Sequence, residues 1–595
     1  MLTMPSSGTG QCVVSAWRQN VCVNVTPGIP GATTPFRESP MKLQRIIPLI
    51  IFTLSTFMLW DAWQASQGKR PVAGISALPA PSASSGASSV ATSSSSSSGS
   101  VPVAPTASSS GAVVASSDLT HGQRILVHTD LFDADIDTVG ADLRSLKLNH
   151  HLSAENEHRP VDLFEDHSSL IYVAQSGLLG DHLPNHTSIY QSPGTNYSLE
   201  PGQEDISVPL TTEVPGVVSV TKIYHFKRGS YVIGVETKVK NLSSAPLSPS
   251  AYFQFLRVSK APPGDPRFVS TYTGPAVYTQ ATKFQKISFS DIEKGKKDYP
   301  VNANDGWLAM LQHYFVSAWL PPSGVPREFF TRKVGNDLYT AGVILPMGTI
   351  QPQGSADVSV PLYAGPQEGA KLKSLAPGLD LTIDYGWLTI IAMPMFQFLS
   401  WIHGLVGNWG VAIILLTVTI KLAFFPLSAA SYKSMAKMRV VQPKMERIRQ
   451  QYADDKGRMN QAMMELYKTE KINPLGGCLP MVVQIPVFIS LYWVLLGAVE
   501  LRHAPFFAWI HDLSAPDPFY ILPLIMTASM FLQQRMSPKP ADPVQAKVMQ
   551  FMPLAFSFMF FFFPAGLVLY WVVNNLLSIA QQWQITRMMG DGVKS

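Results

Sequence analysis

The sequence predicts a polytopic α-helical membrane protein that carries a large β-sandwich outside the membrane. Three observations predict it. Five apolar stretches crowd the last third of the chain, one more lies near its start, and the region between reads as short alternating strands. Charged residues make up only 14% of the 595 residues and mean hydropathy is positive. Ordinary soluble domains carry roughly 25% charged residues, so the composition argues against a cytosolic enzyme. The net charge of +5 is small for this length and does not mark a nucleic-acid binder. Three cysteines, Cys12, Cys22 and Cys478, cannot build a disulfide framework.

The first apolar run, Ile46–Trp60, follows Lys42 and Arg45, the basic flank and apolar core of a signal sequence or anchor. Trp60 and Trp63 suit interface depth and no A-x-A cleavage site follows, so residues 41–63 are expected to be a retained signal anchor. Residues 1–40 read as an extension or a mis-assigned start, with Met41 the alternative beginning. Five further spans are expected at about Leu405–Leu427, Cys478–Ala498, Phe519–Gln534, Val548–Phe563 and Ala565–Ile585, the last four within residues 475–585. Lysine and arginine orient them. The segment Ser428–Pro474 carries ten, the loop Val499–Pro518 only Arg502. Both chain ends and the segment 428–474 are thus expected in the cytoplasm, with a short tail at 586–595.

Between the first two spans, residues 71–117 hold no charge and consist largely of Ser, Ala, Pro and Gly, so 64–117 is expected to be a flexible linker. Its random-coil reach is roughly 40 Å. From 118 to 377 the pattern changes. Tyr231, Ile233, Val235, Thr237 and Val239 alternate with Gly234, Glu236, Lys238 and Lys240, and Lys227-Arg228-Gly229-Ser230 reads as the turn joining this strand to Val217–Phe226. A β-sandwich is expected, followed by an interfacial amphipathic segment at 378–404.

Enzymatic signals are lacking. Eight of the 13 histidines fall between His121 and His186, but their spacings match no ligand set, and they are expected to be solvated loop residues rather than a metal site. Ser434 and Lys437 have dyad spacing, yet lie on a basic helix where both residue types are common. No cofactor, metal or covalent chemistry is expected.

The cytoplasmic segment reads as a helical hairpin, Ser428–Ala453 and Lys456–Lys471, with Asp454-Asp455 as capping turn. Met435, Met438, Met445, Met459, Met463 and Met464 recur at helical spacing among basic residues such as Arg439. They are either packing between the two helices or an adaptable surface for apolar partners. Lys421 is the ionisable side chain within the five expected spans. It lies about six residues from the cytoplasmic end of its span, so it either snorkels or lines a wet cavity. Thr417, Gln484, Gln533, Asn574, Ser578 and Gln581 add polar groups to the same small bundle and favour a hydrated groove, although lone amides can also bridge helices.

Several stretches carry a resemblance. They are Met435-Ala-Lys-Met-Arg439 with Gln442-Pro443-Lys444, Asn473-Pro-Leu-Gly-Gly-Cys478, Trp509-Ile-His-Asp-Leu-Ser514, Phe563-Pro-Ala-Gly-Leu-Val-Leu-Tyr570 and Asn574-Asn575. The chain resembles the YidC/Oxa/Alb membrane insertase family, in its Gram-negative form, over Met41–Met589. The resemblance implies a five-helix core with a hydrophilic groove closed to the periplasm, and a periplasmic β-supersandwich. It places Lys421 at a groove position where the family commonly has arginine; lysine keeps the charge but loses the planar fork. It puts Tyr570-Trp571 at an aromatic pair that touches substrate. It implies nascent membrane proteins as clients, the Sec translocon, the ribosome and the lipid bilayer as partners, and residence in the bacterial inner membrane. Direct nucleic-acid binding is not expected. Some relatives carry a long basic ribosome-binding tail, and Arg587–Ser595 is too short for one. An anion transporter built on Lys421 is the alternative, but it predicts paired repeats, and none is visible. A membrane-anchored periplasmic binding domain is the third reading; it leaves the polar-lined spans unexplained.

Overall fold

The computed structural model describes residues 119–153, 159–167, 170–262, 271–470, 479–536, 551 and 557–591. The expected anchor at 41–63, the linker and half of the expected span Val548–Phe563 lie outside the described residues, as do residues 471–478.

Alternation in the sequence becomes two facing sheets. Ten strands form the first, ordered Asn302–Ala303, Arg327–Gly335, Leu338–Pro346, Ser250–Val258, Leu170–Leu179, Pro160–His167, Asp142–Leu152, Phe132–Asp137, Arg124–His128 and Asn196–Ser198. Eight form the second, ordered Lys283–Lys286, Gly274–Thr279, Trp307–Gln312, Phe315–Trp319, Ser355–Pro366, Val232–Asn241, Val218–Lys227 and Asp205–Val214. The expected hairpin closes at Arg228–Tyr231, pairing Phe226 with Ile233. The period of two puts Val218, Val220, Tyr224 and Phe226 inward, opposite Ile233, Val235 and Val239 of the neighbouring strand's inner face. Across the sandwich, Trp319 of the second sheet packs on Phe253 and Phe255 of the first, with ring centroids 5.2 and 5.7 Å apart. Each such ring removes a large apolar area from water, stabilising the sandwich at roughly 25 cal/mol per Å².

The same period carries Lys222 to the inner face. Its ammonium donates to the carbonyls of Gly140 at 2.5 Å and Ser176 at 2.6 Å, which offsets the cost of burying the charge. Asp142, also buried, accepts from Gln175 at 2.8 Å and lies 3.4 Å from Arg144.

His121 and His182 are exposed and lie outside the strands as expected, but other histidines depart from expectation. His150 and His151 lie inside the strand Asp142–Leu152, not in a loop, and His151 packs edge-on to Phe315 at 5.5 Å. His186 is half-buried and contacts the Tyr252 hydroxyl through both its backbone N–H, at 3.0 Å, and its ring, at 2.5 Å. Burial pulls both imidazoles down to about 4. A neutral ring can fill an aromatic core, which polarity alone does not reveal.

After the last strand and a short helix Gly369–Leu375, the helical half begins. It comprises α1 Thr389–Val406, α2 Trp409–Ala423, α3 Phe425–Gln451, α4 Lys456–Thr469, α5 Leu479–Gly497, α6 Ile521–Met536 and α7 Ala565–Asp591. Among the described residues, Gly386–Val406 is long and apolar enough by itself to cross a membrane. Residues Trp409–Ala423 and Phe425–Met435 suffice together but are bent by 65°.

Two boundaries correct the expected second span. Leu405 and Val406 belong to α1, which ends at Gly407 in the left-handed conformation, φ 68°. Asn408 then caps α2, its side chain accepting from Val411 N at 3.0 Å. At the other end the helix breaks at Phe424 rather than running to Leu427. Pro426 has no N–H to offer the preceding turn and its ring crowds it, so a new helix starts there. Lys421 is therefore three residues before the break at Phe424, not six from the end of a straight span. The expected first hairpin helix starts at Phe425 instead of Ser428.

Candidate functional site

The site is built where α2, α3, α5 and α7 approach one another. Apolar residues hold α2 and α7 together, with Ala412, Ile413, Leu416, Leu567 and Val568 buried. Gly410 allows the close approach of the loop behind α5: a Cβ there would lie 2.0 Å from the Phe506 ring.

Lys421, on the last turn of α2, reaches α7 and donates through Nζ to Ser578 Oγ at 2.8 Å. The Ser578 hydroxyl donates in turn to the Asn574 carbonyl at 2.7 Å. From α3, the Tyr432 hydroxyl reaches the Ser578 carbonyl at 3.4 Å. Asn574 and Gln581 flank Ser578 by about one turn, and the side-chain carbonyl oxygens of both are buried without a partner among the described residues. Buried polar groups normally find a partner, so two amide oxygens left without one on either side of Ser578 set this corner apart from the apolar packing around it. A second group lies beside it. Gln484 of α5 donates to the Tyr570 hydroxyl. Phe488, one turn on, stacks on Tyr570 at 6.4 Å and meets Trp571 edge-on at 4.4 Å.

The sequence-derived residues thus separate. Lys421, Asn574, Ser578 and Gln581 come together, as do Gln484, Tyr570 and Trp571. Thr417 is buried, and its hydroxyl donates to Ile413 O at 2.7 Å on its own helix. Gln533 lies half-buried on α6. On the side of α7 facing α6, Asn575 donates to Ser529 Oγ at 3.3 Å and Gln582 to Met536 O at 2.9 Å, so these amides bridge helices. Tyr432 escaped the sequence reading because it precedes the methionine-rich stretch and carries no pattern. Asp517 escaped too. Its buried carboxylate accepts from Trp509 Nε1 at 3.1 Å, Phe519 N at 3.0 Å and Leu522 N at 2.7 Å, fixing the loop at the start of α6. An aspartate just before an apolar run is the signal that could have found it.

The helical hairpin of α3 and α4 departs from one expectation. Asp455 caps α4 as expected, accepting from Gly457 N at 2.9 Å and Arg458 N at 3.0 Å. Met445 is only 5% exposed and packs with Val441, Met438, Met463, Leu466 and Tyr467 between α3 and α4. It belongs to the hairpin's own core and cannot serve as an open contact surface; Met438 and Met463 pack against the same cluster, while Met435 and Met459 are half-buried. The Arg439 side chain lies outside the described residues. Lys444 ties the two helices through Glu470 at 2.7 Å. Exposed large apolar side chains of α3 and α4 are instead Phe425 at the start of α3, Val440 and Met464.

A bundle of apolar helices with a lysine and amides turned inward, continuous with a β-rich domain, defines a membrane-integral protein with a folded extramembrane half. Comparison with known proteins narrows the class. The family model of the 60 kDa inner membrane protein matches residues 401–592, and that of the YidC periplasmic domain matches 124–398. The membrane protein insertase YidC of Nitrosospira multiformis is 54% identical over 555 residues, covering 92% of this chain and 98% of its own. That of Nitrosomonas eutropha is 51% identical over 562 residues, covering 92% and 90%. A crystal structure of an active YidC insertase with its first transmembrane domain resolved aligns at a TM-score of 0.38 and 18% identity, over 78% of this chain and 92% of that one. The chain belongs to the YidC family of membrane protein insertases, with a periplasmic β-rich domain and a helical C-terminal region.

Proposed function

We propose that this chain inserts integral proteins into the bacterial inner membrane, and helps fold and assemble them, through a hydrophilic groove lined by Lys421, Ser578, Asn574 and Gln581. The observation that carries this reading is the lysine held 2.8 Å from a serine inside an otherwise apolar bundle, with buried amide oxygens on either side. A charge placed there is costly unless water and polar groups attend it. No covalent step is needed. A short hydrophilic segment of the client enters the wet corner partway, which shortens its path across hydrocarbon. Lys421 attracts acidic residues of that segment. The apolar span then leaves sideways into lipid, stabilised by roughly 25 cal/mol per Å² of apolar area removed from water. Tyr570, Trp571 and Phe488 offer an aromatic wall to that span.

Six spans are proposed, both chain ends in the cytoplasm, with α1 lying on the periplasmic interface. Charge supports this placement of α1. If it crossed, α2 would return the chain and put the ten basic residues of 428–474 outside, against the positive-inside tendency. Trp387 and Trp401, both strongly exposed, suit an interfacial helix. Ribosome-bound nascent chains would meet the hairpin first, with the Sec translocon an occasional partner. Reconstitution tests the reading: liposomes holding the full chain alone should insert a small single-span, coat-like protein with no energy source. Insertion no greater than in empty liposomes would contradict it.

A further inference from the structure

Ser578 stands where three helices meet. Its hydroxyl accepts from Lys421 of α2 and donates to Asn574 of its own helix, and its carbonyl accepts from Tyr432 of α3. Only 4% of the residue is exposed. The direction of these bonds is decisive. A serine hydroxyl has a single proton. With that proton committed to Asn574 O at 2.7 Å, the oxygen faces Lys421 as an acceptor, which suits an ammonium, a group with donors only. Among the described residues it is the hydrogen-bond acceptor for Nζ, taking one of three N–H donors. The other two are left for water or for a client carboxylate in the proposed groove. Lysine is a point charge on a flexible stem, so one fixed acceptor determines where the charge rests. The break at Phe424 adds a further constraint. Because α3 leaves α2 at 65°, Tyr432 reaches the same turn of α7 from a different helix.

We infer that Ser578 is a positioning residue: it fixes the Lys421 ammonium at one place in the groove, and Tyr432 ties that grip to the base of the cytoplasmic hairpin. The inference rests on the reading of Lys421 as the charge that meets acidic client segments. A client held by the hairpin would then act on the same turn of α7 that holds the charge.

The test compares full-length variants at equal abundance in proteoliposomes. One single-span substrate is used with an acidic translocated segment and with that segment neutralised, and the readout is the ratio of the two insertion rates. Ser578→Ala is expected to lower the ratio by roughly threefold to tenfold, the worth of one hydrogen bond. Ser578→Thr keeps the acceptor and should restore it; Tyr432→Phe should lower it by a smaller factor. If Ser578→Ala slows both substrates alike and leaves the ratio unchanged, Ser578 is a packing residue and the inference is overturned. A Tyr432→Phe ratio equal to that of the unaltered chain removes the tie to the hairpin. Lys421→Ala separates the two levels. If it lowers the ratio and Ser578→Ala does not, the groove charge stands and the positioning role falls. If it leaves the ratio unchanged, the groove charge falls and the positioning role with it.

Discussion

His313 Nε2 donates to the carbonyl oxygen of Leu496 at 2.9 Å, joining a hairpin tip of the β-sandwich to the last turn of α5. That carbonyl is among those a helix end leaves without an internal partner. The tip is unusual for a two-residue turn, where Asn-Gly is favoured. Here it is His313-Tyr314, and Tyr314 sits at φ 70°, a conformation that costs a non-glycine residue about 1 kcal/mol. The Arg502 guanidinium lies 5.5 Å from both the Tyr314 and Phe315 rings, and Lys286 pairs with Asp384 at 2.5 Å. What the tip touches, rather than what its backbone prefers, accounts for its residues.

Replacing the tip tests that docking. Tyr314→Gly relieves the backbone yet removes the ring beside Arg502; His313→Ala leaves the Leu496 carbonyl unmet. Both should speed hydrogen exchange at Val499–Leu501, measured on the full chain in a bilayer mimic. Unchanged exchange would show that the contact holds nothing in place.

Acid should loosen the β-sandwich through its buried imidazoles. His151 and His186 are pulled down to about 4 by burial, aided by Arg502 beside the first and Lys222 beside the second. The unfolded chain takes up these protons near 6.5 and the folded one does not, so this stability is full above 6.5 and lost as pH falls toward 4. Each residue accounts for up to about 3 kcal/mol. Asp142 acts in the opposite sense, because burial pushes its carboxyl up. His186→Gln should therefore flatten the fall of the unfolding temperature between pH 6.5 and 4. An equally steep fall in the variant would remove His186 from the account.

Much of this was legible in advance, and the failures have physical causes. The alternation Ile233, Val235, Val239 and the turn at Lys227–Ser230, found one residue further on, were readable because a strand's period and a turn's chemistry are local. Asp455 was readable as a cap for the same reason. The buried histidines were not, since neutralising an imidazole inside an aromatic cluster depends on partners distant in sequence, such as Phe315 for His151. The break at Phe424 had its signal in Pro426, but membrane helices often carry proline without breaking, so its position alone did not decide. Lys421 stood out as a charge; its acceptor, 157 residues away, could not be assigned from spacing.

The hairpin surface can be mapped by crosslinking. A photoreactive residue at Met464 or Val440, both well exposed, should capture ribosome-bound client. One at Met445 should capture little, because that side chain is buried between α3 and α4. Efficient capture at Met445 alone, or only at Phe506 in the loop after α5, would count against the hairpin as an early contact.

Asp517 should matter to the loop beneath the β-sandwich. Asp517→Ala leaves two backbone N–H groups and the Trp509 indole unmet, a loss of about 1–3 kcal/mol for a buried donor left unsatisfied. Protease cutting within residues 503–520 should become faster in the variant, and Asp517→Asn should lie between. Cutting at the original rate would mean the loop is held by other contacts.

The central claim is that a hydrated positive charge inside the bundle attracts client segments, and the series at Lys421 tests it most directly. Lys421→Arg, Lys421→Ala and Lys421→Glu are compared at matched abundance on one substrate, with its translocated segment acidic or neutralised. Arginine keeps charge and reach and should retain insertion. Alanine should impair the acidic form more than the neutral one. Glutamate should be worse still, since like charges 4–6 Å apart at an effective dielectric near 20 repel by roughly 3–4 kcal/mol. Equal insertion of the acidic substrate by the alanine, glutamate and unaltered proteins would contradict the claim.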